Sequence, residues 1–144
     1  FMAHLARVSL RFKPPLGLFR RIQTEDGQVD LKKRGIASIV AAARVYALEA
    51  GTRSRPTRER LEAAVAEKKM SRDIGLNLVE TYRYLLQLRL REQLAQIRAG
   101  EGPTNSIRLG RLTSLEHRHL KDAFGAIREM QAAVVQRFQT NSLG

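Results

Sequence analysis

The chain contains no cysteine and no tryptophan, and only 6% of its residues are aromatic. Without cysteine there is no disulfide scaffold and no thiolate metal site, and the composition fits a reducing cytoplasm, the expected location. No apolar run approaches the roughly 20 residues that span a bilayer, so no membrane partner is expected. The start, Phe1 to Arg11, is too short in apolar character for a signal peptide and has no cleavage site. It reads as the tail of a helix continued from upstream, and residues 1–144 have the length expected of one accessory domain of a larger protein. Acidic residues are scarce as well: 14 against 26 Lys and Arg, a net charge of +12. Residues 1–60 hold 13 of those cations against 5 acids, so the excess lies mainly in the first half. Such a surface attracts phosphates, nucleic acid or an acidic protein.

Catalytic patterns are also missing. Phosphoryl and nucleotidyl transfer use metal ions held by closely spaced carboxylates, and two acids at i and i+2 on a strand point the same way. No two Asp or Glu here are separated by two positions. A Walker loop, a glycine-rich dinucleotide turn and a zinc-spaced histidine pair are absent too. His117 and His119 are turned about 200° apart on a helix, so no metal site is expected. The domain alone is expected to have no catalytic centre.

What remains is helix. Hydrophobic residues make up 43% of the chain, enough for a core. Residues 1–12 read as helix, ended by Pro14-Pro15. Leu16 to Gln28 reads as irregular, with a turn at Asp26-Gly27. A helix from about Leu31 to Glu49 carries a stripe of Ile36, Val40, Ala43, Ala47 and Ala50, and Gly51 stops it. Thr57 is the expected cap of a short helix with Leu61, Ala64 and Val65 inside. Ser71 caps the longest helix, which runs to about Ala99 with Val79, Tyr82, Leu86, Leu90, Gln93 and Ile97 as its inner stripe. Gly100-Glu101-Gly102-Pro103 ends it. Thr113 or Ser114 caps the last helix without a full capping box, and Leu120, Phe124, Ile127, Gln131, Val134 and Phe138 form its seam. No segment alternates with period two, so no strand is expected. The fold class is all-α: an up-and-down bundle of four to five helices.

One catalytic spacing is present. Arg111, five residues, then His117 resembles the Arg-x(4–6)-His spacing of the HEPN ribonucleases, which are also small helical bundles. That resemblance implies RNA cleavage across a dimer. Leu112 stands where that family usually has a polar residue.

A broader resemblance runs from Phe1 to about Phe138. Pro-Pro-Leu-Gly-Leu-Phe (14–19), Asp-Leu-Lys-Lys-Arg-Gly (30–35), Ala-Arg-Val-Tyr-Ala-Leu (43–48), Arg-Leu-Arg-Glu-Gln (89–93) and Leu-Lys-Asp-Ala-Phe (120–124) occur in that order, with Ile127 and Gln131 beyond. In this order they resemble the nucleotidyltransferase substrate-binding domain that ends bacterial proteins similar to PII uridylyltransferase. The chain departs from that pattern at Ala41 and Thr104, where the family often has acids. The resemblance implies a helical bundle beside a nucleotidyltransferase domain in cis, usually preceded by CBS or cyclic-nucleotide-binding regulatory domains. It implies Mg²⁺ and nucleotide for the parent protein, and no cofactor in this domain.

Seven residues are the candidate binding set. Lys32 and Lys33, followed by Arg34, open the second helix. A helix N-terminus attracts anions, and cations there oppose the dipole, which hints at another use. A solvated charge run is the ordinary alternative. Arg44 and Arg89 lie beside apolar stripe positions, where arginine suits bidentate phosphate or carboxylate contacts or structural ion pairs. Gln93, like Gln131, falls on an inner stripe, and a buried amide must find a partner. Asn105 is a candidate through the family resemblance alone. Lys121 sits one position from the seam residue Leu120. The leading reading is a non-catalytic module that holds a nucleotide or an acidic protein acceptor. Alternatives are a basic nucleic-acid-binding bundle and the ribonuclease. A homodimer is a further possible state.

Overall fold

The computed structural model describes residues 1–138. Five helices make the bundle: α1 (Met2–Ser9), α2 (Ala37–Ala50, continuing a wide opening turn at Lys32–Ile36), α3 (Thr57–Ala66), α4 (Arg72–Arg98) and α5 (Ser114–Phe138). Consecutive helices pack on one another, and α5 returns against α1 and α2 to close the bundle. Among the described residues no helix is long and apolar enough to cross a membrane.

The helix ends follow local chemistry. α1 stops at Ser9, short of the expected residue 12; the Ser9 hydroxyl donates to the Ala6 carbonyl, and Pro14 keeps Lys13 out of helical geometry. Gly51 ends α2 with φ of 73°, the left-handed turn that glycine adopts without strain. Thr57 does not cap α3. Pro56 takes the cap position and Thr57 is the first helical residue, because the fixed φ of proline already suits the entry. Ser71 caps α4 as expected, its hydroxyl accepting from the Ile74 amide at 3.3 Å. α5 opens with a full capping box, contrary to expectation. The Glu116 amide donates to Thr113 Oγ1 and the Thr113 amide to Glu116 Oε1, both at 3.2 Å.

The core is one cluster. Ile39, Ala42, Ala43, Val45 and Tyr46 of α2 meet Leu61 and Ala64 of α3, Leu78 and Leu85 of α4, and the α5 seam. That seam is buried as read, at Leu120, Phe124, Ile127, Gln131 and Val134. Small alanines on α2 let α1 and α3 approach closely, while Tyr46 fills the far end edge-on to Phe138, ring centres 5.4 Å apart. Arg137 closes this end with a bond to Glu49 at 2.7 Å.

Helix α4 corrects the sequence reading most. Its buried residues are Gly75, Leu78, Thr81, Leu85, Leu88 and Glu92. The expected stripe is rotated from this face by roughly a third of a turn. Leu90 and Ile97 are more than half exposed, and Val79, Tyr82, Leu86 and Gln93 are only half-buried. The helix carries two apolar faces, and leucine periodicity does not say which one meets the core.

A two-stranded antiparallel sheet also exists where no strand was expected. β1 (Gln28–Asp30) pairs with β2 (Ser106–Arg108), with Val29 opposite Ile107. Three residues per strand are too few to show alternation. Burial of Val29 and Ile107 beneath the helices holds the ribbon.

Candidate functional site

Asp26 and Gly27 have φ of 52° and 73°, which makes a two-residue hairpin turn with both central residues left-handed. The Glu25 and Gln28 amides exchange bonds with each other's carbonyls at 3.0 and 2.9 Å across it. The turn feeds β1, and the Leu31 amide then donates to the Asn105 carbonyl at 2.9 Å. Asp30 follows the buried Val29, and its Oδ1 accepts from the Lys33 amide at 2.8 Å. A carboxylate at this position satisfies a free amide at a helix start and offsets the adjacent cations.

The chain next makes a π turn over Lys32–Ile36 before settling into α2. Such wide turns are uncommon and are found often at functional sites. Gly35 occupies its inner side; a Cβ there would come within 2.9 Å of Leu85 Cδ1. The turn is therefore pressed against α4, and its outer side carries Lys32, Lys33 and Arg34.

These elements enclose a cavity of about 460 Å³. Lys33 and Arg34 line it from the π turn, Glu25 and Asp26 from the hairpin, and Asp30 and Ser106 from the ribbon. Pro15 and Val29 supply apolar wall. The volume lies in the range of small-molecule sites. Lys33 also reaches over the Phe12 ring, its Nζ 5.7 Å from the centroid. Cations and carboxylates face each other across one opening, so the cavity offers partners to both the anionic and the hydroxyl-bearing parts of a ligand.

The structure distributes the other candidates. Lys32 is exposed on the same π turn, and the Asn105 backbone meets the end of β1. Arg44 is exposed on α2, about 18 Å further along the axis from Lys32. Arg89 and Gln93 are half-buried on α4, and the Arg89 Nε is enclosed with no acceptor. Lys121 lines a separate recess of about 420 Å³ beside Thr113, His117 and Arg118. Arg111 precedes α5, is exposed, and does not line the recess that holds His117. Gln131 donates to the Phe12 carbonyl at 2.8 Å, which ties α5 to the segment after α1.

Sequence reasoning passed over Glu25, Asp26 and Asp30. The signals were present: Asp-Gly marks the turn, and Asp30 stands three positions before Lys33, the spacing of a cap.

A second cluster stabilises the α4–α5 contact. Arg91 Nη1 lies 2.5 Å from Glu116 Oε2, and this hydrogen bond, followed by that from the Thr113 amide, holds the Glu116 carboxyl below the usual carboxylate range. The Tyr84 hydroxyl donates to the Glu116 carbonyl at 3.3 Å, while its ring stacks on His119 with centres 3.9 Å apart. Burial pushes the Tyr84 phenol up, and the Glu116 charge adds to that.

A family model described as "Putative nucleotidyltransferase substrate binding domain" matches residues 1–138. Comparison with curated proteins and with solved structures gave no match.

Proposed function

We propose that this chain, which belongs to the putative nucleotidyltransferase substrate binding domain family, is the non-catalytic binding module of a nucleotidyltransferase-like signalling protein. The observation that carries this reading is the cavity between the Asp26-Gly27 hairpin and the π turn, with Lys33 and Arg34 facing Glu25 and Asp26. In this reading Lys33 and Arg34 hold the phosphates of a nucleotide or the carboxylates of an acidic protein acceptor. The acids opposite accept from ribose hydroxyls or base amino groups, which limits the site to ligands with both kinds of group. Lys32 adds attraction at the rim.

A nucleotidyltransferase domain in the same polypeptide, resembling PII uridylyltransferase, would supply the Mg²⁺ and the reacting groups. CBS or cyclic-nucleotide-binding domains would supply regulation. In this reading the parent protein works in the cytoplasm, which the absence of cysteine fits. Calorimetry with Mg-ATP and Mg-UTP tests the reading. A Lys33→Ala, Arg34→Ala double variant should bind about tenfold or more weakly, because charged hydrogen bonds contribute about 1.5–3 kcal/mol each. Equal affinity of the variant and the parent would remove the reading.

The net charge of +12 favours a second reading, a nucleic-acid-binding bundle. It requires RNA or DNA affinity that falls steeply with salt as counterions are released. A nucleotide held by a few contacts has a far shallower slope.

A further inference from the structure

Helix α4 has a second apolar face that the bundle leaves open. α3 has ten residues against the 27 of α4, and it covers only the first part. Gly75 sets the close end of that contact: a Cβ there would collide with Val65 Cγ2. Beyond it lies a groove of about 660 Å³ walled by Leu61, Val65, Val79, Tyr82 and Leu86. The same stripe includes Leu76 beside the groove and runs on past α3 to Leu90, Leu94 and Ile97, exposed by 54, 56, 44 and 55% respectively. From Leu76 to Ile97 it is about 32 Å long, a helix-length track. Scattered exposed leucines are ordinary, but a continuous row is an interaction surface.

The charges along this row select the occupant. Arg58 is satisfied by Glu62 at 2.7 Å, and Arg83 faces Glu80 at 3.9 Å. The guanidiniums of Arg72, Arg89 and Arg98 are paired with no carboxylate of the described residues. Arg72 sits in the first turn of α4, where the helix dipole disfavours a cation. The Arg89 Nε is enclosed without an acceptor, so the bundle itself does not neutralise this guanidinium. We propose that this face seats an amphipathic helix of a partner protein, one whose apolar stripe is edged with carboxylates. Its leucine-like side chains enter the α3–α4 groove and continue along Leu90, Leu94 and Ile97. Its carboxylates pair with Arg72, Arg89 and Arg98. A second copy of this chain fits poorly, since it brings the same arginines and a charge of +12. A concave groove continued by a narrow track of side chains suits a helix better than a flat lipid surface. The surface is separate from the Lys33 cavity, and the inference does not depend on nucleotide binding.

The test uses a synthetic 21-residue helical peptide with leucines at i, i+3, i+4 and i+7 spacing and glutamates along both edges. A second peptide carries glutamine for each glutamate. Binding is followed by amide shifts of the ¹⁵N-labelled chain. The glutamate peptide should shift Leu86, Leu90, Leu94 and Ile97 saturably. Leu90→Glu should weaken it at least tenfold, and Arg89→Gln or the glutamine peptide should weaken it severalfold. Leu90 is exposed, so its variant is expected to keep the parent's unfolding curve, which is checked alongside. No saturable binding, or equal affinity for both peptides, overturns the proposal. So does self-association abolished by Leu90→Glu, or stronger binding through this face to phosphatidylglycerol vesicles than to the peptide.

Discussion

Gly35 lies directly against Leu85: the position of its absent Cβ is 2.9 Å from Leu85 Cδ1, with Phe124 and Ile127 just behind. This contact holds the π turn of α2 in the bundle and fixes how Lys33 and Arg34 are presented. Leu85 is fully buried and has little room to turn away. Gly35→Val is expected to destabilise the domain by about 1–3 kcal/mol, the usual cost of overpacking a filled core. Urea unfolding measures it. An unchanged midpoint would mean that the turn is not clamped by this contact.

The Phe12 carbonyl accepts from both Ser38 Oγ at 3.0 Å and Gln131 Nε2 at 2.8 Å, which joins α2 and α5 to the segment after α1. Ser38→Ala or Gln131→Leu alone leaves one donor and should cost about 1 kcal/mol. The double variant leaves the carbonyl without either and should lose more than the sum, with coupling of about 0.5 kcal/mol or more. A double-mutant cycle read by urea midpoints checks this; strict additivity would show that the two bonds do not share an acceptor in solution.

Glu116 gives the domain a pH dependence of known sign. Its folded pKa lies below the ordinary carboxylate value because Arg91 hydrogen-bonds the ionised form, with the Thr113 amide second. The folded state therefore binds this proton less readily than the unfolded chain. The stabilisation is present above the unfolded value, near 4.3 on the reference scale, and fades as pH falls through the folded value. Glu116→Gln should lower stability at pH 7 and flatten the decline in acid. Denaturant midpoints from pH 7 to 3 test it, and parallel curves for parent and variant would contradict the assignment.

The bundle was legible where periodicity and helix ends agree. The α5 seam, the Ser71 cap and the Gly51 stop were each readable because one local rule determined them. α4 was misread for a physical reason: it has apolar residues on two faces, and only the packing of α3 and α5 decides between them. The Thr113–Glu116 capping box is ambiguous in the sequence because Thr113 and Ser114 are adjacent and both residue types are favoured caps.

The candidate site was legible in part. Lys32 and Lys33 stood out as cations at a helix start, but the acids facing them come from a hairpin that reads as loop. Leu16 to Gln28 is in fact a tight structure, with Leu16 and Ile22 paired across its neck. It also places Phe19 and Arg20 at φ of 57°, a conformation these residue types disfavour. Propensity cannot announce such a loop. Arg44 and Lys121 stand out by their neighbours in sequence, which carry no information about distance from Lys33.

The most direct measurement is a titration of the ¹⁵N-labelled domain with Mg-ATP, then Mg-UTP, at near-physiological salt. The proposed site predicts saturable amide shifts at Gly27, Lys33, Arg34 and Ser106 that disappear in the Lys33→Ala, Arg34→Ala double variant. No shifts at millimolar nucleotide, or shifts centred on Thr113 to Lys121 and unchanged in that variant, would contradict it.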